Sequence, residues 1–243
     1  MTESKPKLSI VVPCYNEAKN IPLVLSGFRD AFAVGDRRQF AELIIVDNNS
    51  KDATAETLCR ELAKPEYSFA RSVFEPKAGY GAAIKCGLRA ARGNVLAWTH
   101  GDVQADPEDV FRAYDAFQRA GTENLIVKGN RTKRSLSQVF FSFGMAVIAS
   151  AMLGRTFFEI NAQPKLFGRN FLDAVLAGPD DFSLDLYLLY RAKQEHRPIR
   201  TIDVTFKKRL HGESKWAFSF RSKLTTIWRT IRYIERLAQQ RDL

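Results

Sequence analysis

Ala97-Trp98-Thr99-His100-Gly101-Asp102-Val103-Gln104-Ala105-Asp106-Pro107-Glu108 is the stretch from which the rest of the chain is read. Its front end completes a short apolar run, Val95 to Trp98, that reads as a buried strand. Its back end enters Pro107-Glu108-Asp109, a helix start with proline in the first turn and carboxylates beside the positive end of the dipole. Asp106 is placed to cap that helix. His100, Asp102 and Gln104 therefore leave the carboxyl end of a strand, where open α/β sheets place ligands. If the chain stays extended, their spacing of two points them the same way. Imidazole, carboxylate and amide oxygen could then hold one divalent cation. Taken alone, the segment reads more simply as a polar strand-to-helix turn.

Outward from this stretch the pattern repeats. Leu8 to Pro13, Glu42 to Asp47, Ser68 to Phe74 and Leu125 to Lys128 read as further strands. Helices are expected from Asn20 to about Phe32, from Gly79 to about Ala91 and from Pro107 to Arg119. Asp52 is placed to cap the helix that follows the second strand. Alternation at this spacing predicts an α/β fold, a Rossmann-like, mainly parallel sheet flanked by helices. Farther on, Val139 to Leu153 and Leu184 to Gln194 read as helices, Gln163 to Phe167 as extended and Ile199 to Phe206 as a strand. The last helix carries apolar groups at Phe220, Leu224, Ile227, Trp228, Ile231 and Ile234, with Arg229, Arg232 and Arg236 on a separate face. The expected organisation is one domain over residues 1–215, followed by a basic amphipathic extension over 216–243.

The 243 residues suffice for one large α/β domain with a full core. The net charge of +10 is concentrated late. From Arg200 onward eleven Lys and Arg stand against four Asp and Glu, a surplus of seven. Such an end calls for an anionic partner: nucleic acid, anionic lipid or a phosphorylated substrate. Nucleic acid is set aside, because no binding motif or aromatic–basic interleaving accompanies the charge. Cys14, Cys59 and Cys86 are odd in number and far apart, and no signal peptide opens the chain, which points to a reducing cytoplasm. The longest apolar stretch, Val139 to Leu153, is broken by Ser142, Gly144 and Ser150 and falls short of the roughly 20 residues of a spanning helix.

Four loops follow strand ends and converge on one rim of a parallel sheet. In Pro13-Cys14-Tyr15-Asn16-Glu17, Tyr15 suits stacking on a nucleobase and Glu17 a ribose hydroxyl. Asp47 is an acceptor for a base or ribose. Lys77-Ala78-Gly79-Tyr80-Gly81 has glycines that permit close backbone approach. The fourth loop is the His100 to Gln104 turn. Each alone is an ordinary turn, but together they fit a nucleotide and an intervening cation.

These residues carry a resemblance. Leu8 to Glu17, Val46 to Asp52 and Gly79 to Ala83 resemble the family 2 glycosyltransferases of the GT-A fold. Asp102-Val103-Gln104 with Pro107-Glu108 is similar to the signature of the polyprenyl-phosphate sugar synthases, the dolichyl-phosphate mannose synthase type. Gln163 to Phe167 and Arg209 to Lys215 extend the likeness. The resemblance implies an enzyme: an inverting hexosyltransferase taking a UDP- or GDP-linked sugar, using Mg2+ or Mn2+, and delivering to a polyprenyl phosphate. It implies donor contacts at Pro13, Tyr15, Glu17, Asp47, Lys77 and Gly79, a metal at Asp102 and Gln104, and Arg209 on the diphosphate. His100 departs from the first aspartate of the signature, and Asp47-Asn48 departs from the usual aspartate pair. A neutral imidazole brings less charge and favours softer metals, so Mn2+ would rise relative to Mg2+ if His100 is a ligand.

A phosphate monoester is already ionised near pH 7 and needs cations rather than a base. Lys128, Arg131, Lys133 and Arg134 past the fifth strand fit that role, with Ser214 and Lys215 in the late basic loop. A hydroxyl acceptor, saccharide or otherwise, would need a base, for which Asp185 is the candidate; its other reading is a helix cap or core ion pair. A silent nucleotide-sugar binding protein is a further alternative, prompted by His100. The expected location is cytoplasmic, peripheral at the inner face of a membrane, through the basic last helix.

Overall fold

A computed structural model describes residues 5–132, 136–205 and 220–239, with side chains omitted for 136–143, 145 and 220–228. The chain divides into two compact units, residues 1–132 with 162–211, and residues 133–161 with 212–243. The expected boundary between residues 215 and 216 lies outside the described residues.

In chain order the elements are β1 (Leu8–Cys14), α1 (Ile21–Ala33), β2 (Ala41–Asp47), α2 (Thr54–Leu62), β3 (Ala70–Phe74), α3 (Tyr80–Ala90), β4 (Val95–Trp98) and α4 (Pro107–Arg119). They continue as β5 (Ile126–Thr132), α5 (Leu136–Leu153), β6 (Lys165–Gly168), α6 (Leu172–Leu176), α7 (Leu184–Gln194), β7 (Ile199–Thr205) and α8 (Phe220–Gln239). The seven strands form one sheet in the order β3-β2-β1-β4-β6-β5-β7. Strand β6 runs antiparallel to both neighbours and every other pairing is parallel. The extended Gln163 to Phe167 segment thus supplies a central strand. It is buried along its whole length, Lys165 included.

The core of the larger unit lies under α1 and α4. Phe32 packs edge-on against Phe28 and Phe111 and stacks on Phe69 at 4.2 Å between ring centroids. Strands β1, β2 and β4 are covered on both faces, so their apolar runs are continuous. One charge is buried at the start of β2. Glu42 accepts from the Ser9 hydroxyl (2.7 Å) and the Arg92 amide (2.8 Å), with Arg71 at 3.3 Å. Burial pushes its carboxyl upward, but these donors outweigh burial and hold it below the ordinary value.

In the smaller unit, Ile234 and Leu237 of α8 are buried while Arg229, Arg232 and Arg236 are exposed. Among the described residues no helix is long and apolar enough to cross a membrane.

Candidate active site

Two loops at the carboxyl edge of β1 and β2 are laced together. The Asn16 amide donates to Ser50 Oγ (3.0 Å), and the Lys51 amide returns to Asn16 Oδ1 (2.7 Å). The Glu17 amide donates to Thr54 Oγ1 (2.9 Å). Asp52, expected as the cap of α2, stands one residue ahead of the cap position. It accepts from the Thr54 amide (3.0 Å) and from the Ala18 amide (3.3 Å), so it joins the loops as well as covering the helix end. Asn16 and Asn49 both take φ of 56°, a conformation asparagine tolerates. Asp47 is buried at the end of β2, with one carboxylate oxygen on the Ser50 amide (3.1 Å). The Glu17 carboxylate accepts from Asn20 Nδ2 at 2.5 Å.

The residue after Asp47 explains the departure from an aspartate pair. Asn48 Nδ2 donates to the Lys77 carbonyl (2.7 Å), while its Oδ1 accepts from the Gly79 amide (2.8 Å). Only an amide does both, since a carboxylate has no donor. Asn48 therefore binds the Lys77 to Gly79 loop to the end of β2.

The His100 to Gln104 turn is not extended, which corrects the expected facing of three ligands. Asp102 Oδ1 accepts from the Gln104 amide (3.2 Å), and Val103 has φ of 62°. A β-branched residue in that region is strained, and Val103 is held there by packing against the core. Gly101 is required because a side chain there would run into Cys14 Sγ at 2.8 Å. Asp106 does cap α4, accepting from the Glu108 amide at 3.1 Å. Burial pushes the His100 imidazole below its ordinary value, against the upward pull of Asp102 and Asp185; Lys165 and Arg131 add to the depression. The ring is therefore neutral at pH 7. Among the described residues no three His, Cys, Asp or Glu side chains gather into a metal cage. Beside the turn, a cleft of about 510 Å3 is lined by Leu23, Phe28, Val34, Thr99, His100 and Val103, among others.

Next to His100 lies a buried polar cluster in which Asp185 takes the second of its two readings, the core ion pair. Asp185, at the first turn of α7 and 2% exposed, accepts from Trp98 Nε1 (3.2 Å), Gln163 Nε2 (3.1 Å) and the Tyr80 hydroxyl (3.3 Å). Lys165 Nζ, wholly buried, stands 3.6 Å from Asp185 and donates to the Ala162 carbonyl at 2.6 Å. The Tyr80 ring is 6.2 Å from that of His100. Burial, then Asp185, pushes the Tyr80 hydroxyl well up, so it stays a donor. Strand register makes the row: Trp98 faces Lys165 across β4–β6, and Lys165 faces Lys128 across β6–β5. Lys128 is 2% exposed and donates to the Gly129 carbonyl (3.2 Å). The signal for Lys165 was available as a lysine inside an apolar strand. Its partner lies on another element and could not be read. Arg134, Arg209, Ser214 and Lys215, expected at the site, lie outside the described residues, as do Lys133 and His211.

A mainly parallel sheet with loops gathered on the carboxyl edge of its strands is the arrangement in which open α/β folds place their ligands. The chain belongs to glycosyl transferase family 2, whose profile matches residues 9–169. It is 26% identical over 220 residues to the undecaprenyl-phosphate 4-deoxy-4-formamido-L-arabinose transferase of Photorhabdus laumondii, covering 89% of this chain and 65% of that protein. It is 25% identical over 215 residues to the dolichyl-phosphate beta-glucosyltransferase of Dictyostelium discoideum, covering 82% of this chain and 66% of that protein. The chain thus spans about two thirds of the length of these relatives. The crystal structure of glucosyl-3-phosphoglycerate synthase from Mycobacterium tuberculosis in complex with uridine-diphosphate superposes with a TM-score of 0.71. The sequences are 17% identical, and the match covers 97% of this chain and 81% of that one. The same synthase has been solved with Mn2+ and uridine-diphosphate-glucose, at a TM-score of 0.70 and 16% identity over 97% of this chain and 80% of that one. The shared fold is GT-A.

Proposed function

We propose that this glycosyltransferase moves a sugar, with inversion, from a UDP- or GDP-linked donor to a polyprenyl phosphate at a membrane surface. One observation carries the choice of acceptor. The carboxylate that could serve as a base, Asp185, is buried, saturated by three hydrogen bonds and paired with Lys165. Lys165 pairs with it and Lys128 stands across the strand, both as buried as Asp185, while the half-buried Arg131, which acts on His100, is a cation that a phosphate could reach. An acceptor that arrives ionised needs no base and is drawn by that charge. The names of the relatives agree with this reading.

On the donor side, Tyr15, Glu17 and Asp47 are assigned to the nucleoside and Pro13, Lys77 and Gly79 to the same rim, a reading that the lacing of the two loops supports. Asp102 and the Gln104 side-chain amide are assigned to a hard cation, whose remaining shell would be phosphate oxygens and water. His100, neutral through burial, can add an imidazole nitrogen. When bound, Mg2+ or Mn2+ would neutralise the diphosphate leaving group. Arg209 is assigned to the same leaving group, and Arg134, Ser214 and Lys215 to the acceptor phosphate. Arg229, Arg232 and Arg236, exposed on α8, would contribute about 1 kcal/mol each to attachment at an anionic surface.

Purified protein given radiolabelled nucleotide sugars, Mn2+ and either undecaprenyl phosphate or soluble glycans tests the reading. Label should enter the lipid fraction, and Asp185→Asn should retain the pH profile of the wild type. Transfer to a soluble hydroxyl, lost in Asp185→Asn, would replace this reading with the hydroxyl-acceptor one. Donor binding without transfer to either would make the chain a binding protein.

A further inference from the structure

The loop before α7 grips the amino end of α3. The Asp180 carboxylate spans two lysines, with one oxygen 2.5 Å from Lys77 Nζ and the other 2.5 Å from Lys85 Nζ. Its backbone carbonyl accepts from the Ala82 amide in the first turn of α3 (3.1 Å). Lys85 is buried and also donates to the Gly178 carbonyl (2.6 Å), whereas the Lys77 side chain is 68% exposed. A side chain at Gly79 or Gly81 would collide with the backbone of Pro179 and Asp180, so the two segments are pressed together. Farther along the same segment, Phe182 stacks on Tyr80 at 4.7 Å, and Tyr80 reaches Asp185.

The Asp180 carboxylate thus stands where an anion would be held, between two ammonium groups. We propose that the Asp180 carboxylate holds the exposed Lys77 side chain in a latch that the donor diphosphate opens. This rests on the donor reading above. The stem of Lys77 is fixed, because Asn48 pins its loop, but its exposed tip can exchange one anion for another. A diphosphate at the rim offers more charge than one carboxylate. Once Lys77 turns to it, Asp180 keeps only Lys85, and the segment carrying Phe182 toward Asp185 loses one of its ties. Donor arrival is thereby communicated to the acceptor side.

Calorimetric titration with UDP and then GDP, each with Mn2+, tests this on the full chain. An exposed ion pair is weak, so Asp180→Asn, which frees Lys77, should tighten nucleotide binding only about two- to fivefold. Lys77→Ala should weaken binding and cancel the gain in the double variant. Hydrogen exchange of residues 178–183 should quicken on nucleotide binding in the wild type and stay unchanged in Lys77→Ala, which leaves the Asp180–Lys85 pair intact. Weaker binding in Asp180→Asn, or unaltered exchange in the nucleotide-bound wild type, would overturn the latch. A wild type that binds neither nucleotide would remove the donor reading itself, a distinct failure.

Discussion

The donor rim and the Asp185 cluster lie on one sheet but are built by opposite means. The rim uses turns just past the strand ends, tied to one another by polar side chains that accept from amides of the neighbouring loop. The cluster draws Tyr80, Trp98, Gln163 with Lys165, and Asp185 from four places in the chain and buries all but the half-buried Tyr80. The rim is polar and partly exposed; the cluster is largely buried, and its charges must satisfy one another. A change at the rim should therefore cost binding or turnover, and a change in the cluster should cost stability first.

The largest effect is expected in the cluster. Lys165→Met leaves a buried carboxylate without its cation and should lower stability by about 3–5 kcal/mol, read as a shift of the urea midpoint. A loss under about 1 kcal/mol would mean that the cluster is wetter than its burial indicates, and the contrast would fail. Asp102→Asn should do the reverse: transfer falls at least about 100-fold, close to 3 kcal/mol, while the urea midpoint stays put. Wild-type turnover in that variant would remove the assignment of the turn. Asn48→Asp sharpens the account of the rim. It sets a carboxylate against the Lys77 carbonyl and should cost about 1–3 kcal/mol, with weaker nucleotide binding in calorimetry. An unaffected variant would show that the loop is held by something other than the amide. The smallest effect belongs to the cap of α4. Asp106→Ala should cost about 1 kcal/mol, visible as a small drop in melting temperature.

What was legible follows the range of the forces involved. The helix from Pro107 to Arg119 was read to the residue, because proline, the acidic first turn and the Asp106 cap are local signals. Val95 to Trp98 was read as well, since burial on both faces leaves a continuous apolar run. The ligand geometry of His100, Asp102 and Gln104 was misjudged. Spacing alone assumes an extended chain, and the packing of Val103 and the close approach of Gly101 to Cys14 turn it over. Asn48 looked like a lost aspartate until its two bonds across to Lys77 and Gly79 gave the amide a reason.

By itself the sequence determined the alternation of strands and helices and the edge of the sheet at which the loops carrying Asp47 and Asp102 follow their strands. Those features depend on periodicity and turn chemistry within about ten residues. Only the tertiary structure decided that Gln163 to Phe167 supplies an antiparallel strand in the middle of the sheet, which sets Lys165 between Trp98 and Lys128. It also decided that Asp185 is a buried counter-ion and that Asp180 sits between Lys77 and Lys85. The reason is physical: a buried charge is tolerated only where a partner meets it, and that partner comes from wherever the fold places it, at a separation no local pattern records.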